Sequence, residues 1–144
     1  MDYMELALDQ ARKALKKNEV PIGAIITNKK GRVIARAHNM REKSQNALHH
    51  AEVLAINAAC KKLKSWRLDD CTMYVTMQPC VMCAGAILNA RIKKVVMGAI
   101  SDRTNDLNIF TENNLNHKTE IEISALHPEC STIVKEFFKH MRTV

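Results

Sequence analysis

The sequence predicts an α/β fold in which one sheet is covered by helices on both faces. β-rich segments alternate with helical ones, no linker is long enough to divide the chain, and no internal repeat is visible. With 144 residues and 47% hydrophobic content the chain can bury one core without disulfide staples, so a single domain over 1–144 is expected.

Each element has its own signal. Asp2 and Glu5 stand at capping-box spacing, and Met4, Leu8, Ala11 and Leu15 follow at helical period. Residues 2–17 are therefore predicted as an amphipathic helix with Asn18 as its stop. Segments 22–27 and 32–37 flank the turn-prone Asn28-Lys29-Lys30-Gly31 and predict a β-hairpin. A loop is expected over 39–48, then a helix over 50–63, a strand over 72–76, a helix over 80–89 introduced by Pro79, and a strand over 94–98. Beyond these, 101–118 is polar and asparagine-rich, 120–124 alternates like an exposed edge strand, and 128–141 closes as a helix.

Composition narrows the function classes. No apolar run approaches the roughly 20 residues that span a bilayer, which argues against an integral membrane protein. The five cysteines (Cys60, Cys71, Cys80, Cys83, Cys130) are odd in number and lack the spacing of a secreted framework. Reduced thiols or metal ligation in a cytoplasmic protein are expected instead. The excess of 22 Lys and Arg over 15 Asp and Glu gives a net charge of +7, which suits a polyanion such as RNA and suits equally a merely solvated surface.

Chemistry concentrates in two pieces. Cys80-Val81-Met82-Cys83 puts two thiols on one face of a helix start, where free N–H groups and the helix dipole favour thiolates. Such a pair serves redox chemistry or a soft metal. His50 adds a nitrogen ligand, and a His/Cys/Cys set suits Zn²⁺ with one tetrahedral position open. Cys60 cannot share that ion, because ten helical residues beyond His50 amount to about 15 Å of rise; Cys71 and Cys130 remain open as fourth ligands. Glu52 supplies a carboxylate for moving protons to and from a metal-activated water. Two residues on a helix turn through about 200°, so His50 and Glu52 can serve one site only off the end of the helix.

His50-x-Glu52 followed by Pro79-Cys80-x-x-Cys83 is similar to the signature of the zinc deaminases. The likeness extends to Val20-Pro21-Ile22-Gly23-Ala24, His38-Asn39, Trp66-Arg67-Leu68, Tyr74-Val75-Thr76, Arg91-Ile92, Gly98-Ala99, Asn116-His117-Lys118, Glu129-Cys130 and Phe137-Phe138. Over nearly its whole length the chain resembles the bacterial tRNA-specific adenosine deaminases of the cytidine-deaminase-like superfamily. That resemblance implies a three-layer α/β/α fold with a mixed five-stranded sheet, one zinc per subunit and a homodimer. It also implies hydrolysis of the wobble adenosine of a tRNA anticodon loop to inosine. Water activated at the zinc would attack C6 while Glu52 moves protons. Asn39 would hydrogen-bond the base, Ile22 and Met77 would pack on it, and the backbone around Ala51, Pro79 and Cys80 would orient it.

Other roles stay open for several of these residues. Asn39 could be a turn residue, Ile22 and Met77 plain core, and Trp66 a packing anchor. Lys135, Lys139, His140 and Arg142 could form a solvated helix face or contact phosphates. The chain also departs from its relatives near the site. Asn46-Ala47-Leu48-His49 replaces the usual Asp-Pro-Thr-Ala, Gln78 replaces a glutamate, and the segment after Gly98-Ala99 is shorter and lacks its glycines. His49 would narrow the pocket, and the altered loop would change the RNA-facing wall. These departures leave a free nucleobase or nucleoside as the alternative substrate, and a non-catalytic zinc-binding RNA module as a third reading.

Overall fold

The predicted hairpin is the start of the sheet. In the computed structural model, which describes residues 1–143, β1 (Gly23–Thr27) pairs antiparallel with β2 (Val33–His38). β1 also pairs antiparallel with β3 (Thr72–Val75). β3, β4 (Lys94–Met97) and β5 (Glu120–Ile123) run parallel, giving a mixed five-stranded sheet in the order β2-β1-β3-β4-β5.

Strand alternation sorts the core into two clusters. On one face Ala24, Ile26, Met73, Val75, Val95 and Met97 meet α3 (Ala51–Leu63) and α4 (Val81–Asn89). Their intervening neighbours Ile25, Tyr74 and Val96 meet α1 (Tyr3–Lys16) and the start of α5 (Glu129–Thr143) on the other. The expected three layers result.

Local chemistry sets the helix positions. Asp2 Oδ1 accepts the Glu5 N–H at 3.1 Å and caps α1, as the sequence predicts. α1 lies so close on β1 that a Cβ at Gly23 would collide with the backbone carbonyl of Ala7, so only glycine fits there. Arg12 bonds Glu129 at 2.7 Å and Glu5 at 2.9 Å, tying α1 to α5. The edge strand β5 is charged, and Glu122 pairs with Lys94 at 2.8 Å.

Some of the structure differs from expectation. The loop over 39–48 contains a single helical turn, α2 (Arg41–Ser44). The polar segment over 101–118 contains a 3-10 helix (Thr104–Phe110) that plants Phe110, fully buried, in the α3/α4-side core. Trp66 is no buried anchor. It lies beyond the left-handed cap of α3 at Lys64, is 60% exposed, and has the Arg67 and Arg91 guanidinium groups 5.4 and 5.8 Å from its ring. Leu68, fully buried, anchors that segment. No helix among the described residues is long and apolar enough to cross a membrane.

Candidate active site

The site lies past the C-terminal end of β3, where Val75 pairs with Ala24 near the start of β1, and Gly23 in turn faces His38 at the end of β2. Ligands of open α/β sheets collect at such strand ends. Two helices begin here. His50 is the N-cap of α3 and Cys80 the N-cap of α4, and neither side chain caps its own helix, so both are free to face a common point. Glu52 and Cys83 follow in the two first turns.

Nδ1 of His50 lies 3.6 Å from Sγ of Cys80 and 3.5 Å from Sγ of Cys83. A tetrahedral ion bonded to nitrogen at about 2.0 Å and sulfur at about 2.3 Å separates those atoms by roughly 3.5 Å, so the donor set fits Zn²⁺ without rearrangement. Among the described residues no fourth ligand joins them. Cys60 turns its thiol to the Trp66 carbonyl at 3.8 Å, Cys71 is buried in the α3/α4-side core, and Cys130 is buried on the opposite face. An open fourth position is the mark of a catalytic centre.

The electrostatics fit that use. The Cys80 thiol is pulled down to about 5, by the hydrogen bond from the Cys83 thiol and the Cys83 backbone N–H, helped by His50. Cys83, facing the Cys80 sulfur, buried, and close to Glu52, is pushed up. Glu52 is 4% exposed, and burial, reinforced by the charge on Cys80, pushes its carboxyl up to about 7.

A cavity of about 160 Å³ opens onto these groups, lined by Val20, Ile22, Asn39, Arg41, His50, Ala51, Glu52, Gln78 and Cys80. Asn39, Ile22, Ala51 and Cys80 are thus brought together in the lining of one cavity. Asn39 also has a structural part: its Oδ1 accepts the Arg41 N–H at 3.1 Å and its Nδ2 donates to the Val20 carbonyl at 3.3 Å. A primary amide keeps one further N–H and one lone pair for a ligand.

Three expected substrate residues fall elsewhere. Met77 packs with Tyr74 against the α1-side cluster, because it leaves β3 on the face away from α3, and the plain-core role is the one it takes. His49 does not line the cavity. Its carbonyl accepts the Met40 N–H, and its Nδ1 is shielded from solvent without a hydrogen-bond partner among the described residues. Pro79 is buried behind the α4 cap and shapes the turn.

Sequence reasoning missed Arg41 and Val20 as lining residues, and Glu19 altogether. Glu19, 1% exposed, accepts the Glu42 and Lys43 N–H groups at 3.0 and 2.7 Å. It caps the first turn of α2 from 23 residues away and so holds Arg41 at the rim. The acidic residue beside Val20-Pro21 was visible, but its partners come from a turn that no sequence periodicity announces.

The chain matches the MafB19-like deaminase family over residues 1–142. It is 44% identical to the tRNA-specific adenosine deaminase of Bacillus subtilis, the match covering 97% of this chain and 89% of that protein. A solved structure from a study of A-to-I editing by tRNA:A34 deaminases at the wobble position of transfer RNA superposes with a TM-score of 0.85 at 36% identity, covering 91% of this chain and 97% of that one. A guanine deaminase from Bacillus subtilis superposes less well, with a TM-score of 0.67 at 29% identity over 100% of this chain and 96% of that one. With its His/Cys/Cys group and buried glutamate in place, the chain belongs to the MafB19-like deaminases and, within them, to the family of the tRNA-specific adenosine deaminases.

Proposed function

We propose that this protein converts the wobble adenosine of a tRNA anticodon loop to inosine, with water as co-substrate and ammonia as product. The observation that carries the reading is the meeting of His50, Cys80 and Cys83 beside a cavity into which Glu52 also opens. His50, Cys80 and Cys83 would hold one zinc, which would supply an activated water as nucleophile at neutral pH. Glu52, close to the thiols without being one of the ligands, takes one proton from the water and passes it to N1 of the purine as the C6–O bond forms. It then takes the remaining hydroxyl proton and gives it to the amine, which leaves as ammonia as the C6–N bond breaks.

The other lining residues position the base. Ile22 offers an apolar face, Asn39 its remaining amide donor and acceptor, and the backbone at Ala51 and Cys80 the edge contacts. Arg41 at the rim and the net charge of +7 suit the phosphates that flank an extruded base. An unpaired loop suits a cavity this small, since one base can enter without breaking a duplex. A cytoplasmic homodimer is the assembly that accompanies this reading.

Incubation of the zinc-loaded protein with an arginine tRNA bearing adenosine at the wobble position, followed by inosine mapping, tests it. Inosine at that position, lost in Glu52→Ala, is the expected result. Ammonia release from free bases or nucleosides together with an unedited tRNA would replace tRNA by a small substrate.

A further inference from the structure

We propose that Gln78 is a positioning residue that sets substrate fit by tying the rim segment 99–103 to the cavity wall, an inference that rests on the deaminase reading of that cavity. Gln78 is 8% exposed, lines the cavity beside Cys80, and stands two positions before that ligand. It holds the segment at three points. Its backbone N–H donates to the Ala99 carbonyl at 2.9 Å, its Oε1 accepts the Ser101 N–H at 3.1 Å, and its Nε2 donates to the Arg103 carbonyl at 2.8 Å. Inside the segment, Ser101 Oγ accepts the Arg103 N–H at 3.2 Å, which closes the turn.

The partners leave no freedom in the chemistry of the side chain. A backbone N–H needs an acceptor and a backbone carbonyl needs a donor, so both the amide's orientation and the need for an amide follow. A carboxylate could meet Ser101 but would set an acceptor against the Arg103 carbonyl. An aliphatic side chain of the same length would leave the Ser101 N–H unmet and the Arg103 carbonyl with the Asp106 N–H, at 3.0 Å, alone.

The segment contains no glycine, and Ile100, Asp102 and Arg103 on it are exposed. Gln78 is thus the buried side chain that ties their backbone to the cavity wall, alongside the Asp106 N–H on the Arg103 carbonyl, and nucleotides flanking the target base would meet the segment it orders. Gln78 acts on where the substrate rests and does not touch the reacting atoms, so its loss should weaken binding more than turnover.

The test compares the zinc-loaded wild type with Gln78→Met and Gln78→Glu. In Gln78→Met the Ser101 amide should exchange its hydrogen about tenfold faster, and KM for the tRNA should rise about tenfold with kcat within about twofold. In Gln78→Glu the Ser101 amide should stay protected while KM still rises, because only the Arg103 bond is lost. Unchanged Ser101 exchange in Gln78→Met, or a loss carried by kcat at constant KM in either variant, would overturn the proposal. A wild type that forms no inosine would instead remove the tRNA reading, and the Ser101 exchange comparison would still decide whether Gln78 holds the segment.

Discussion

Nδ1 of His50 lies 3.5 Å from Sγ of Cys83, 33 positions further along the chain. Two helix starts, each aimed past the end of β3, make that distance. If it is a metal-ligand distance, removing either side chain must cost metal affinity.

His50→Ala and Cys83→Ser are each expected to weaken zinc binding by at least about 100-fold, since loss of a mere supporting residue already costs about 10- to 100-fold. Competition with a chromophoric chelator measures this. Zinc binds only the folded site, so a free concentration 100 times Kd adds about 2.7 kcal/mol of stability, and chelation should lower Tm in the wild type while leaving Tm unchanged in both variants. Wild-type affinity in a variant would take that residue out of the ligand set.

Glu52→Gln keeps the size of the side chain and removes its capacity to carry a proton. Inosine formation is expected to fall by about 10² to 10⁴ in kcat, the ordinary worth of a positioned acid–base group. Zinc content, read by elemental analysis, should stay at one per chain. Retention of more than about a tenth of the wild-type rate would be inconsistent with a general acid–base role.

Glu19→Ala strips two part-buried N–H groups in the first turn of α2 of their buried acceptor. A loss of about 1–3 kcal/mol in unfolding free energy is expected. The Glu42 and Lys43 amides should lose hydrogen-exchange protection, and KM should rise through displacement of Arg41. Unaltered exchange at both amides would show that the cap is dispensable.

Asp2 caps α1 through the Glu5 N–H and also meets His127 at 2.8 Å; these bonds, the cap first, hold its carboxyl below the usual value of 3.8. With the folded value depressed, the stabilisation is complete above the unfolded value and is lost as pH falls through the folded one. The stability gap between wild type and Asp2→Ala should therefore narrow as pH is lowered from about 5 to about 3. Asp2→Asn, whose amide oxygen caps without titrating, should show less narrowing against Asp2→Ala. Denaturant melts across that range would refute the assignment by showing a constant gap for the wild type.

How much of this was legible in the sequence depends on the range of the interactions. α1, the hairpin, α3 and α4 could be read within a residue or two because period, cap and turn chemistry are local. The candidate His/Cys/Cys group and Glu52 were legible as neighbours in sequence for the same reason: His50 and Glu52 share one helix start, Cys80 and Cys83 another, and thiols at a helix start already favour a metal. What the sequence by itself determined, then, was the α/β alternation and the chemistry each helix start carries. Only the tertiary structure decided where the two starts meet, that Met77 leaves β3 on the far face, that Trp66 stays exposed, and that Phe110 is swallowed by the core. It alone showed Glu19 holding Arg41's turn and Gln78 holding the rim. Those contacts join segments more than 20 residues apart through pairs of side-chain hydrogen bonds to backbone, which has no sequence signature, so they exist only once the sheet has set the distances.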